Sequence, residues 1–194
     1  RDVLGSRGLG DVYKRQSIYD IPYDTLYAEG IRLILTDLDN TLISYRQKDP
    51  TPELLAWKEA LYAKGFEVII VSNSRKDRVS RFAQSMGVPF VKFSTKPLKR
   101  GIRKAIRRRA AGRYRKEEIV LLGDQLMTDI FGANRCRIKS ILIEAVDKKT
   151  DSGPTRINRR LENYFLKRIR KKYPDLYKTT LSEYAGDEND SKKM

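Results

Sequence analysis

A chain of 194 residues, 40% of them hydrophobic, is long enough to bury one real core and too apolar to be disordered. It contains no histidine, which removes histidine triads and imidazole bases, and its one cysteine removes an internal disulfide framework and suits a reducing cytoplasm. The net charge of +16 favours anionic partners: nucleic acid, the ribosome, or an anionic membrane face.

The first sixteen residues are aperiodic, rich in Gly and charge, and end in Asp11-Val-Tyr-Lys-Arg-Gln16, which resembles a translated sequencing adapter. Residues 1–16 are therefore set aside as non-native. From Ser17 the pattern alternates strand and helix. Residues 31–36 form a short apolar run ending in acids, read as a first buried strand. Residues 52–64 read as a helix, with Pro52 and Glu53 in its first turn and Gly65 as its stop. Residues 66–71 make a second strand, 76–86 a helix ending at Gly87, and 88–93 a third, weaker strand. Residues 97–111 make a helix with Leu98, Ile102, Ile106 and Ala110 on one face and arginines elsewhere. A fourth strand (118–122), a short helix (127–134) and a fifth strand (139–145) complete a core over 17–150.

Charge is concentrated in two blocks. Residues 96–116 hold eleven Lys/Arg and no acid, and residues 155–178 hold nine against Glu162 and Asp175. In the second block, within residues 151–178, Ile157, Leu161, Phe165, Ile169 and Tyr173 recur every four residues among arginines and lysines. That pattern fits an interfacial helix on anionic lipid, or a helix whose apolar stripe packs on the core. Residues 179–194 read as a polar, disordered tail. No apolar run reaches the roughly 18–20 residues of a membrane span. The expected location is the cytoplasm, with any membrane contact peripheral and at the inner face.

Alternating strands and helices imply parallel βαβ units and a three-layer α/β/α sandwich, whose ligands bind beyond the carboxyl ends of the strands. The polar oddities fall there. Asp37 and Asp39 follow the first strand, Ser72 and Asn73 the second, Lys96 the third and Asp124 the fourth. Such a set suits a phosphate and a hard cation. Asp37 and Asp124 hold Mg²⁺ through oxygens, Lys96 offsets charge, and Ser72 and Asn73 donate to phosphate oxygens. Taken singly these residues have plainer roles, as loop and helix caps or a solvated lysine. Their agreement at four successive strand ends favours chemistry. Cys136 and Trp57 read as packing.

Asp37-Leu-Asp-Asn-Thr-Leu matches the DxDxT signature of the haloacid dehalogenase superfamily. Ser72-Asn73, Lys96-Pro97 and Gly123-Asp-Gln-Leu-Met-Thr-Asp129 are similar to its second, third and fourth motifs. With Ser17-Ile-Tyr-Asp-Ile and Val71-Ser-Asn-Ser, the chain over about 17–170 resembles the YqeG family of bacterial phosphatases, related to mitochondrial phosphatidylglycerophosphate phosphatases. The resemblance implies that Asp37 forms an aspartyl-phosphate and binds Mg²⁺, and that Asp39 is general acid and then base, its backbone carbonyl a metal ligand. It further implies that Thr41 shapes the motif loop beside the phosphate, Ser72 and Lys96 bind phosphate, Asp124 binds metal and Asp129 supports it. The spacing between motifs leaves no room for a cap domain, so the site is expected to be open to a phosphate carried on something large. The leading expectation is phosphatidylglycerophosphate at an anionic membrane. The alternatives are an RNA- or ribosome-associated protein and a phosphatase of soluble or nucleic-acid-end phosphomonoesters.

Overall fold

Strands that are apolar at successive positions must be covered on both faces, because neighbouring side chains leave a strand on opposite sides. The computed structural model describes residues 12–109 and 111–147, with Lys167, Arg170 and Lys171 beyond them. In chain order the elements are β1 (Val12–Arg15), α1 (Tyr23–Ala28), β2 (Leu33–Thr36), α2 (Pro52–Ala63), β3 (Glu67–Val71), α3 (Asp77–Met86), β4 (Phe90–Val91), α4 (Lys99–Lys104), β5 (Ile119–Gly123), α5 (Phe131–Cys136) and β6 (Lys139–Ile143). All strand pairings are parallel, in the order β1-β6-β5-β2-β3-β4.

The alternation is visible in the core. Leu33, Leu35, Ile69, Val71, Ile119 and Leu121 face Ile102 of α4, Ala105, and Ala133 and Cys136 of α5. Ile34, Val68, Ile70, Val120 and Leu122 face Leu54, Trp57 and Leu61 of α2 and Phe82 of α3. The result is the expected α/β/α sandwich. Only α2 separates β2 from β3, and only α3 separates β3 from β4, so no cap domain is inserted there.

Strand order reverses at β2: the chain steps outward through β3 and β4, then returns to place β5 on the other side. That reversal opens a crevice above the carboxyl end of β2. Register brings the strand ends level, with Thr36 opposite Ile70 of β3 and Leu122 of β5.

Several local expectations are corrected. Val12–Arg15, set aside with residues 1–16, lie in the sheet as β1 and pair in parallel with β6. The outer edge of β6 offers unpaired backbone donors and acceptors, and an extended segment satisfies them. The Glu144 amide continues this ladder by donating to the Arg15 carbonyl at 3.0 Å. Residues 18–28 were not assigned structure, yet Ile18–Asp20 form a 3-10 turn capped by Ser17, and α1 follows. Ile18, Ile21 and Leu26 are buried there, three apolar residues too irregularly spaced to signal a helix. The third strand shortens to Phe90–Val91, because Phe93 turns away with φ of 53°. The helix expected over 97–111 begins at Lys99 and continues as a π-helical turn over Ala105–Arg109. The short helix after the fourth strand divides into a π-helical turn, Leu126–Ile130, and α5. The amphipathic stripe from Ile157 to Tyr173 and the tail over 179–194 lie outside the described residues. No helix among the described residues is long and apolar enough to cross a membrane.

Candidate active site

Each site residue is delivered by a strand that has just run out. The Asp37 amide donates to the Leu122 carbonyl at 2.9 Å, carrying the β2–β5 ladder one residue past the strand. The Ser72 amide donates to the Val91 carbonyl at 3.0 Å, and the Ser94 amide to the Ser72 carbonyl at 2.9 Å. Asp37, Ser72 and Asp124 thus arrive at one level, and the loop after β4 folds back over them with Lys96.

Lys96 is the hub. Its side chain is 1% exposed, and Nζ lies 2.9 Å from Asp37 Oδ1 and 2.6 Å from Asp129 Oδ1. Burial works against the ammonium, but Asp129 and Asp37 outweigh it and raise the lysine pKa, so the charge is held. Lys96 Nζ, Asp37 Oδ1 and Asp129 Oδ1 are bound to one another by charge and make no well-directed hydrogen bond. Carboxylate oxygens of Asp37, Asp124 and Asp129 lie within 4.8 Å of one another, all buried. Three buried carboxylates against one ammonium leave a negative cluster of hard oxygens, a donor set that suits a divalent cation.

Burial pushes the Asp129 carboxyl up to about 6, with Lys96 opposing the shift. The sign follows: in the metal-free protein the folded state holds a proton that the unfolded chain has released. Stability is therefore greater at the acidic end and falls as pH rises from about 4 to about 6. Thermal denaturation in EDTA should show this fall, and Asp129→Asn should reduce it, the raised Asp39 carboxyl keeping a part. A divalent cation at neutral pH should raise the melting temperature of the wild type, and Asp124→Asn should blunt that rise.

The remaining expected residues are here too, with some roles redistributed. Thr41 Oγ1 donates to Asp124 Oδ1 at 3.2 Å, so it orients a carboxylate of the cluster. Ser72 is buried, and its Oγ accepts the Ser74 amide at 3.1 Å. Asn73, expected to face phosphate, is committed to the Lys96 loop instead. Its Oδ1 accepts from Ser94 Oγ at 2.6 Å and from the Lys96 amide at 2.7 Å, and its Nδ2 donates to the Lys96 carbonyl at 2.9 Å. The carboxamide is a clamp that sets where Lys96 enters. Asp129 Oδ2 also accepts the Gln125 amide at 3.2 Å, tying the π-helical turn to the strand end.

Two contributors were not found by sequence reasoning. Arg78, in the first turn of α3, pairs with the Asp39 carboxylate and donates to the carbonyls of Ser44 at 3.0 Å and Gln47 at 2.8 Å. It binds the loop after the first motif to α3. Nothing in its local pattern announces this, since its partners lie 31–39 residues away. Burial and the neighbouring Asp37 raise the Asp39 pKa, and Arg78 works against them. Gly123 is the second: a Cβ there would lie 2.3 Å from Asp129 Cβ and Cγ. Gly123→Ala should displace Asp129, cost about 1–3 kcal/mol, and lower turnover; comparing its melting temperature and phosphatase rate with wild type checks both.

Cys136 is buried, and burial raises its thiol pKa, which fits packing rather than chemistry. Trp57 Nε1 donates to the Tyr23 hydroxyl at 3.0 Å and packs in the α2-side core.

A model of the mitochondrial PGP phosphatase family matches residues 12–147 of this chain. The chain belongs to that family. The match starts at Val12, the first residue of β1. "Probable phosphatase YqeG" of Bacillus subtilis (strain 168) is 35% identical over 157 residues, spanning 81% of this chain and 89% of its own length. This bears out the resemblance read from the motifs. Among solved structures, a HAD phosphatase from Thermococcus onnurineus is 14% identical, with TM-score 0.47, over 63% of this chain and 89% of that one. An uncharacterized protein from Listeria monocytogenes serotype 4b is 18% identical, with TM-score 0.47, over 64% and 88%. The chain is a phosphatase, with a buried acidic cluster at the ends of its strands.

Proposed function

We propose that this phosphatase hydrolyses phosphatidylglycerophosphate to phosphatidylglycerol, with Mg²⁺ as its metal and an aspartyl-phosphate on Asp37 as the intermediate. The observation that carries the chemistry is Asp37, buried at the end of β2 with Lys96 Nζ 2.9 Å from its Oδ1. The family match and the capless opening above the strand ends support the lipid.

A carboxylate attacks a phosphomonoester dianion only where positive charge offsets their repulsion. Lys96 supplies part of it, and a divalent cation would supply the rest, with Asp37, Asp124 and the Asp39 carbonyl as the groups that would hold it and Asp129 in support. In the first step an Asp37 oxygen bonds to phosphorus, the bond to the lipid oxygen breaks, and Asp39 gives that oxygen a proton. Burial and Asp37 keep the proton on Asp39 to higher pH than on an exposed carboxyl. In the second step Asp39 takes a proton from water, whose oxygen attacks phosphorus and releases inorganic phosphate and Asp37. The Ser72 hydroxyl, its oxygen already accepting from Ser74, retains its proton for a phosphate oxygen.

The test is phosphate release from phosphatidylglycerophosphate in mixed micelles, with Mg²⁺ or with EDTA. Metal-dependent release is expected. Release from a soluble phosphomonoester alone would keep the enzyme and discard the lipid.

A further inference from the structure

The geometry points to a docking surface for anionic bilayers on the lip of the active site, made by the loop from β4 to α4 and the outer side of α4, with Phe93 and Leu98 seated at the headgroup boundary. The inference rests on the lipid reading of the same site, but it concerns how the enzyme reaches a surface, and the two are tested separately.

Lys96 turns inward to the catalytic cluster, while its neighbours along the chain turn outward: Phe93 is 49% exposed and Leu98 53%. Single exposed apolar residues are ordinary on any protein surface. The distribution here is not scattered. Among the described residues the large exposed hydrophobics other than tyrosine are Phe93, Leu98, Phe131 and Val146, and all four follow the carboxyl ends of β4, β5 or β6. That is the end of the sheet that carries the site.

Cations surround the lip. The Arg75 guanidinium sits 3.8 Å from the Phe93 ring centroid. A groove of about 680 Å³ runs from Phe93 and Thr95 along α4, with Arg100, Lys104 and Arg107 on its wall. A second, of about 510 Å³, lies on the α5 side of α4, where Lys99 and Arg103 meet Arg137, a residue from after α5. Among the described residues, no carboxylate lines either groove. Lys99, Arg100, Arg103, Lys104 and Arg107 make no ion pair with any described residue. Helix α4 is therefore a ridge of positive charge that no described carboxylate pairs with, and its first turn adjoins Lys96.

A bilayer uses both features. Anionic headgroups attract the ridge, and apolar side chains buried about 5–10 Å into the headgroup–acyl boundary would hold the Lys96 loop at the depth where lipid phosphates lie. A nucleic-acid backbone would use the cations but gain nothing from Leu98, which cannot stack on a base. A base can stack on Phe93, so it is Leu98 that favours lipid over RNA.

The test compares the full chain with two variants in co-sedimentation with vesicles of phosphatidylcholine alone or mixed with phosphatidylglycerol. One variant, Arg100→Glu with Arg103→Glu, reverses the ridge. The other, Phe93→Asn with Leu98→Ser, removes the apolar lip with residues that suit a positive φ and a helix N-cap. Turnover of p-nitrophenyl phosphate reports whether each variant keeps a folded site. Wild type should bind only the phosphatidylglycerol vesicles. The charge variant should lose about 30-fold or more in partitioning, at roughly fivefold for each arginine removed with the glutamates adding repulsion, and the apolar variant about tenfold, with soluble turnover retained in both. Binding indifferent to phosphatidylglycerol, or unchanged in either variant, would overturn the proposal. So would tight binding to single-stranded RNA that displaces the vesicles and is untouched by the apolar variant. Vesicle binding of the expected kind without hydrolysis of phosphatidylglycerophosphate would leave the docking surface standing and remove the substrate. Hydrolysis in micelles without vesicle binding would do the reverse.

Discussion

Asp37→Asn is expected to reduce phosphate release by about 10⁴-fold or more, with little change in stability. The amide is nearly isosteric, and the backbone contacts that place residue 37, its own N–H to Leu122 and the Thr36 hydroxyl to its carbonyl, do not involve the side chain. Lys96 keeps Asp129 at 2.6 Å, so the cluster does not come apart. What is lost, on the proposed mechanism, is the anionic oxygen that attacks phosphorus. Acid-quenched reactions with labelled phosphomonoester should trap a phosphoenzyme in wild type and none in the variant. A residual rate above about 1% of wild type would move the nucleophile elsewhere.

Lys96→Met is expected to damage both stability and rate. The substitution nearly preserves volume, but it leaves Asp37, Asp124 and Asp129 within 4.8 Å of one another with no ammonium between them. Removing one partner of a buried ion pair costs about 3–5 kcal/mol, and removing the charge beside the phosphoryl group should slow turnover by about 10²–10³-fold. The stability loss has a predictable pH dependence. Without Lys96 the carboxylates hold protons more tightly when folded, so the variant approaches wild type as pH falls and departs from it as pH rises. A divalent cation should recover part of the loss at neutral pH. Melting temperatures of both proteins across acidic and neutral buffers, with and without Mg²⁺, test this directly. A loss equal at all pH values would mean that Lys96 acts by packing alone.

The candidate residues at the ends of β2, β3 and β5 were legible because each sits immediately after an apolar run. A buried parallel strand shows as a short block of aliphatic residues, and the first polar residue beyond it stands at the sheet's carboxyl edge whatever the rest of the fold does. Asp37, Ser72 and Asp124 follow that rule; Lys96 does not, since it stands five residues past the weak strand β4, in the loop that folds back over the site. The roles within the set were less legible. Thr41 and Asn73 were expected beside phosphate, but Thr41 holds Asp124 across 83 residues and Asn73 clamps the Lys96 loop across 23. A side-chain hydrogen bond over such separations leaves no mark on either segment. Arg78 was missed for the same reason, and Gly123 because its meaning lies in Asp129 folding back over it.

Sequence alone determined the alternation of strands and helices from β2 to β6, the absence of a cap between the motifs, and which carboxylates stand at the strand ends. Those properties are local: hydrophobic runs, helix stops and the residues at their ends are set by neighbours in the chain. Tertiary structure alone decided which strands lie side by side, that residues 12–15 add a sixth strand to the β6 edge, and that one lysine is shared by two carboxylates. It also turned the arginines of α4 into a ridge beside the catalytic lip. These depend on groups far apart in sequence being brought within a few ångströms, where burial removes water and lets charge and hydrogen bonding choose the partners.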